Sequence, residues 1–257
     1  MTVPVFDLSG RIALVTGASS GFGAHFARLL AAAGARVVVG ARRIDRLEAL
    51  CAEITASGGE ALAVPLDVAG EASTIAAYDA AEARFGTVDT IVANAGIAAD
   101  KLSAQIPIDE WDGVFATNMR GAFLTVREGA RRLIAAGSSE KENGRVVVIG
   151  SITADKLYPG TAAYSASKAG VRHMARVLAR EWARKGININ VIQPGYFPTE
   201  LTGDLFETEM GQGLLKTFPR RRLCEMDSLS VPLLHLCSDH ARGVTGSVFT
   251  IDDGQSL

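Results

Sequence analysis

Short runs of apolar, mostly β-branched residues alternate along this chain with longer stretches in which apolar positions recur every three or four residues. The apolar runs predict strands over Arg11–Thr16, Ala35–Gly40, Glu60–Leu66, Val88–Ala93, Arg145–Gly150, Ile187–Gln193 and Ser247–Ile251. The periodic stretches predict helices near Phe22–Ala33, Arg43–Ala56, Glu71–Phe85, Asp109–Ala136, Thr161–Lys185 and Met226–Ser238. The strand runs show little polar alternation, as expected where both faces are covered. Alternation this regular predicts right-handed βαβ units and a single α/β domain over residues 1–257, a doubly wound parallel sheet of about seven strands with helices on both faces. Ligands of such sheets bind beyond the carboxyl ends of the strands, so chemistry is sought there.

Two stretches break the rhythm. Gly137–Asn143 is polar and glycine-led and reads as a solvated loop. Residues 198–219 scatter Gly203, Gly211 and Gly213 among Leu201, Leu205, Phe206, Met210 and Leu214. That segment follows a strand's carboxyl end, so it is either surface covering or a lid over a substrate site.

Composition narrows the function classes. The 257 residues are 48% hydrophobic, which supplies a sizeable core and excludes disorder. A net charge of −2 and 6% aromatic residues argue against a nucleic-acid surface or a polybasic membrane patch. Cys51, Cys224 and Cys237 form no C-x-x-C pair and read as reduced, mostly buried small apolar residues, with a redox or metal role the alternative. Met1 to Arg11 has no basic stretch leading into an apolar run, and no apolar run is long enough to span a bilayer. A cytoplasmic protein with no membrane partner is therefore expected. His25, His173, His235 and His240 lack paired ligand spacing, so no metal is expected, and Trp111 and Trp182 read as packing residues.

The first strand runs into Thr16-Gly17-Ala18-Ser19-Ser20-Gly21-Phe22-Gly23. Glycines here permit a tight turn and a close backbone approach to a pyrophosphate, and the helix start that follows attracts an anion. The spacing G-x-x-x-G-x-G departs from the usual G-x-G-x-x-G, and a glycine turn without a ligand is the plain alternative. The second strand ends in Ala41-Arg42-Arg43, with no acid to bind ribose hydroxyls. Cations at a helix start oppose its dipole, a conflict that a bound 2′-phosphate would relieve. NADP(H) is therefore expected over NAD(H), with Arg42 the stronger contact and Arg43 the secondary one.

Tyr164-Ser165-Ala166-Ser167-Lys168 puts a phenol and an ammonium four residues apart on one helix face. The ammonium is expected to lower the phenol's pKa toward a catalytic value. Ser151 closes the fifth strand, where a substrate oxygen would sit. A surface Tyr/Lys pair with an unrelated serine is the alternative.

These motifs, in this order, make the chain resemble the short-chain dehydrogenase/reductase family from about Leu8 to Gly254. The resemblance implies a Rossmann-type fold and carries the family's T-G-x-x-x-G-x-G turn onto Thr16–Gly23, hence Gly17, Ser19, Ser20, Gly21, Phe22 and Gly23 as cofactor contacts. It implies Asp67 and Val68 beside the adenine, and the family's N-A-G stretch as Asn94-Ala95-Gly96. It carries Pro194, Gly195 and Thr199 over to the nicotinamide carboxamide, and a catalytic set onto Asn118, Ser151, Tyr164 and Lys168. By that resemblance Tyr164 exchanges a proton with the substrate oxygen, Ser151 hydrogen-bonds it, Lys168 binds ribose hydroxyls and tunes Tyr164, and Asn118 anchors a relay water.

Departures are Ala93 for the first asparagine of N-N-A-G and Asp253 for a C-terminal glycine of D-G-G, a segment often found at the interface of the family's tetramers. A homo-oligomer, tetrameric by resemblance, remains the expectation. The reaction expected is interconversion of a ketone, or a 3-oxoacyl group, with a secondary alcohol on a small-molecule substrate. The other class weighed is a cofactor-binding regulatory module without turnover. Tyr158 and Tyr196 are candidates for the pocket wall. Arg220-Arg221-Arg222 is a solvated run or a contact for an anionic substrate.

Overall fold

Strands that are apolar on both faces need cover on both, and seven of them form one parallel sheet between two layers of helices. The fold comes from a computed structural model that describes residues 6–257. The part of the leader expectation that concerns residues 1–5 lies outside the described residues. In chain order the principal elements are β1 (Ile12–Thr16), α1 (Gly21–Ala32), β2 (Arg36–Ala41), α2 (Ile44–Ala56), β3 (Glu60–Pro65), α3 (Glu71–Phe85) and β4 (Thr90–Ala93). There follow α4 (Ile108–Phe115), a π-helical turn (Ala116–Gly121), α5 (Ala122–Ala135), α6 (Ser138–Lys141), β5 (Gly144–Ile149), α7 (Ala162–Trp182) and β6 (Ile187–Pro194). The chain ends with α8 (Glu209–Thr217), α9 (Ser230–Cys237) and β7 (Val248–Ile251).

The strands lie in the order β3-β2-β1-β4-β5-β6-β7. The chain thus winds outward in one direction from β1 and in the other from β4, which opens a crevice at the carboxyl ends of those two neighbours. Side-chain alternation feeds the two cores separately. Ala13 and Val15 of β1 join Phe26, Leu30, Leu50 and Leu233 on one face, while Ile12 and Leu14 join Tyr78, Val126 and Leu178 on the other. A one-residue slip of β1 would exchange these sets, so its register against β2 and β4 is held by packing on both sides.

Three stretches differ from their sequence reading. The helix expected over Asp109–Ala136 is interrupted by the π-helical turn at Ala116–Gly121, inside which Asn118 is tied to Ile97 and Ser167. The loop expected at Gly137–Asn143 contains α6, because the buried Ser138 hydroxyl donates to the Lys185 carbonyl at 2.6 Å and fixes the turn. Residues 198–219 carry a helix of their own, α8, capped by the Thr208 hydroxyl accepting from the Gly211 N–H at 3.1 Å.

Candidate active site

The crevice is built by stitching the ends of β1 and β4 together. Thr16 Oγ1 accepts from the N–H groups of Asn94 and Ala95, each at 3.1 Å, and Asn94 Nδ2 donates back to the Thr16 carbonyl at 2.9 Å. Gly17 follows with φ +66°, and a Cβ there would lie 2.8 Å from Ala95 Cα. A Cβ on Gly23 would press on the Gly17 carbonyl oxygen. Neither Gly17 nor Gly23 has room for a side chain. Ser20 caps α1 by position only: its hydroxyl accepts from Arg43 instead, so the first-turn N–H groups have no side-chain cap.

A cavity of about 730 Å³ runs along the crevice. Of the residues singled out from the sequence, its wall includes Gly17, Ser19, Ser20, Gly21, Phe22, Arg42, Arg43, Asp67, Val68, Asn94, Ala95 and Gly96. The same wall continues through Ser151, Tyr164, Lys168, Pro194, Gly195 and Thr199. Gly23 and Asn118 stand behind it. Asn118 is 2% exposed, with Oδ1 accepting from the Ile97 N–H at 2.8 Å and Nδ2 donating to the Ile97 carbonyl and to Ser167 Oγ. Its amide is committed to protein partners, which makes its side chain a brace for the loop after β4.

Ser151 leaves β5 and faces Tyr164, near the start of α7. Ser151 Oγ accepts from the Thr153 N–H at 3.2 Å and from Thr153 Oγ1 at 3.0 Å, so its own proton is left to point elsewhere. Thr153 carried no signal in the sequence, because its role comes from one turn of backbone after the strand. Lys168 Nζ is buried, donates to the Ile149 carbonyl at 2.8 Å and lies 5.6 Å from the centroid of the Tyr164 ring.

The electrostatics correct one expectation. The Tyr164 phenol is not lowered: burial pushes it up to about 12, against the pull of the Ser151 hydroxyl and with a further push from the Asp100 carboxylate. Burial also pushes Lys168 down to about 8, so the ammonium itself is held reluctantly and exerts little hold on the phenol. The site as it stands keeps Tyr164 protonated.

The arginine pair divides. Arg42 makes no side-chain hydrogen bond or ion pair within the described residues. Arg43 reaches across the glycine turn to Ser19 and Ser20 and pairs with Glu200 at 3.0 Å. The anion that relieves the cation at the start of α2 is thus supplied by the chain itself, from a residue the sequence reading did not single out. Arg220 and Arg222 are both turned to Asp253, at 3.1 and 3.0 Å, and are not on the cavity wall. Asp253, which sits at φ +54° where the resemblance expects glycine, accepts both guanidinium groups.

Away from the arginines the wall is apolar and aromatic, formed by Tyr158, Tyr196, Leu201, Leu205, Met210 and Leu214. The rings of Tyr158 and Tyr196 meet edge-on at 5.7 Å, and Phe218 stacks on Tyr196 at 5.6 Å. Both phenols are pushed up by burial. Asp100, also on this wall, is raised by burial. Lys168 is the sole lysine or arginine of the described wall outside the Arg42–Arg43 end.

The short chain dehydrogenase family model matches residues 11–210, and the chain belongs to that family of oxidoreductases. It is 34% identical over 252 residues to D-threitol dehydrogenase of Mycolicibacterium smegmatis, covering 98% of this chain and 95% of that protein. It is 34% identical over 251 residues to the 3-oxoacyl-[acyl-carrier-protein] reductase FabG of Escherichia coli, covering 98% and 99%. Among solved structures, gluconate 5-dehydrogenase of Burkholderia cenocepacia in complex with NADP and tartrate superposes with a TM-score of 0.91 at 33% identity, covering 98% of this chain and 97% of that one. A 3-ketoacyl-(acyl-carrier-protein) reductase of Brucella melitensis complexed with NADH gives 0.88 at 32%, covering 98% and 100%.

Proposed function

We propose that the protein is an NADP(H)-dependent carbonyl reductase or secondary-alcohol dehydrogenase whose substrate is a neutral compound with an apolar body. The observation that carries this reading is the convergence of Ser151, Tyr164 and Lys168 on the same cavity as a glycine turn in which neither Gly17 nor Gly23 has room for a Cβ. That turn, the uncapped start of α1 and the buried ammonium beside Gly96 fit a nicotinamide dinucleotide. Gly17, Ser19, Ser20, Gly21 and Phe22 would hold its pyrophosphate, Asp67 and Val68 its adenine, and Asn94, Ala95 and Gly96 its inner ribose. Pro194, Gly195 and Thr199 would hold the nicotinamide end, and Lys168 the ribose hydroxyls. When bound, such a group donates or accepts a hydride.

The chain's own residues manage the proton. Tyr164, protonated at neutral pH, gives its proton to the carbonyl oxygen as charge develops there. Ser151 donates a second hydrogen bond to the same oxygen, since Thr153 occupies its acceptor side. Asn118 keeps the loop after β4 in position. The unpartnered Arg42, with no acid at the end of β2, favours a 2′-phosphate. Structural neighbours include both an NADP and an NADH complex, and the support for NADP(H) in this chain is the unpartnered Arg42 at the end of β2. Since sheet strands come from residues 12 to 251, the described chain acts as one domain.

The composition of the wall supports this substrate class. A sugar acid brings a carboxylate, and the substrate end offers it no free cation while presenting Asp100. The test follows NADPH absorbance with a matched pair, ethyl acetoacetate and acetoacetate, among a panel of cyclic and aryl ketones. Turnover of neutral ketones, with the ester well ahead of the acid, is expected. Tyr164→Phe should lose at least about a hundredfold in kcat while keeping NADPH affinity within about threefold. Retention of most activity by that variant would refute the assignment, and NADPH binding without any turnover would favour the regulatory module.

A further inference from the structure

Glu200 stands one residue after Thr199, at the base of the segment that covers the substrate end, yet its carboxylate reaches back over the adenosine end. Arg43 is held there from three sides. Its Nε and Nη2 donate to Ser19 Oγ at 3.1 and 2.9 Å, Nη2 donates to Ser20 Oγ at 2.9 Å, and Nη1 donates to Glu200 Oε2 at 3.0 Å. The other oxygen of the same carboxylate takes Arg46 Nη1 at 2.5 Å. Glu200 therefore bridges two guanidinium groups on the first turn of α2, while the adjacent Arg42 is left without a partner.

We propose that Glu200 is a cofactor-specificity residue: its carboxylate holds the guanidinium edge that a 2′-phosphate needs, so the phosphorylated dinucleotide must displace it and the unphosphorylated one need not. This rests on the reading of Arg42 and Arg43 as the 2′-phosphate site. The charges support it. Arg42, Arg43 and Arg46 carry three positive charges, and Glu200 cancels one of them. A 2′-phosphate of charge about −1.5 to −2 that takes the Arg43 edge must displace the carboxylate from it or sit beside it as a like-charged neighbour, and with the carboxylate in place it meets a net charge of +2 in place of +3. Either course costs affinity for NADP(H) and spares NAD(H), which brings no charge to that spot. The contact is solvent-exposed, so the effect is moderate and salt-dependent.

The test is equilibrium titration of NADPH and NADH fluorescence against the purified full-length protein and its Glu200→Gln variant. The exposed position and the conservative change keep the fold, and a thermal melt checks this. For a charge moved off a neighbouring phosphate in high dielectric, the ratio of Kd for NADH to Kd for NADPH should rise about tenfold in the variant. NADH affinity should stay within about twofold, and the gain should shrink at high ionic strength. An unchanged ratio overturns the proposal. So does weaker NADPH binding by the variant, which would make Glu200 a scaffold for Arg43. A wild-type preference for NADH would refute the cofactor reading, whereas the shift in ratio on removing the charge would still support this one.

Discussion

Thr153→Val isolates what the turn after β5 contributes to proton handling. Valine keeps the shape and the backbone N–H but deletes the Oγ1 donor that lies 3.0 Å from Ser151 Oγ. The Thr153 N–H, at 3.2 Å, still accompanies that oxygen, so Ser151 keeps one of its two orienting bonds. A buried neutral hydrogen bond is worth about 1 kcal/mol net, which sets the cost of letting the Ser151 hydroxyl swing between rotamers. If that orientation matters chiefly as charge develops on the substrate oxygen, kcat should fall about fivefold. Ser151→Ala, which removes the donor itself, should cost about a hundredfold or more. The assay is steady-state reduction of a neutral ketone with NADPH, paired with NADPH titration of the free enzyme. Thr153→Val should lower kcat and leave NADPH affinity alone, and Thr153→Ser should recover most of the loss. A wild-type kcat in the valine variant, or a loss as large as that of Ser151→Ala, would refute the reasoning. The first result would make the contact idle, and the second would show that Thr153 does something other than orient.

Other consequences are open to direct measurement. Lys168 is held near 8 in the folded chain against 10.5 for an ordinary lysine, so between those pH values the unfolded chain binds the extra proton. The contribution of this group to stability is therefore present above about pH 10.5 and lost as pH falls through about 8. In denaturant melts without nucleotide, the deficit of the wild type relative to Lys168→Met should narrow by up to about 3 kcal/mol as pH rises across that window, and a flat difference would refute the assignment. Gly17→Ala should destabilise the protein by about 1–3 kcal/mol, from its positive φ and the 2.8 Å approach to Ala95 Cα, and should abolish NADPH binding in the same titration.

Much of the architecture is legible along the chain because the seven strands are mainly apolar with little polar alternation and most helices between them are amphipathic, so the type and order of most elements follow from period. The π-helical turn at Ala116–Gly121 is not. One extra residue rotates the following helix by less than the width of its apolar stripe, and the cause, Asn118 bonded to Ile97 and Ser167, is a contact between distant segments. The short helix Ser138–Lys141 hides for the same reason: its composition is that of a loop, and its anchor is a carbonyl 47 residues away. At the site, Ser151, Tyr164, Lys168 and the glycine turn stand out as residue types at fixed spacing. Thr153 and Glu200 do not, because an ordinary threonine and an ordinary glutamate gain meaning only from where a turn brings them. The pKa of Tyr164 could not be had from spacing either. Four residues along a helix bring an ammonium near, yet burial of both groups outweighs that proximity.

Leu201, Leu205, Met210 and Leu214 all belong to one continuous stretch of fourteen residues between β6 and β7, whereas Ser151 follows β5 and Tyr164 and Lys168 belong to α7. Most of the aliphatic cover of the cavity is thereby encoded in one passage of the gene, apart from Ser151, Tyr164 and Lys168, while Tyr158 and Tyr196 line the wall from outside it. If the proposed reaction holds, grafting or randomising that cassette should change which ketones are reduced while leaving the Ser151, Tyr164 and Lys168 geometry in place.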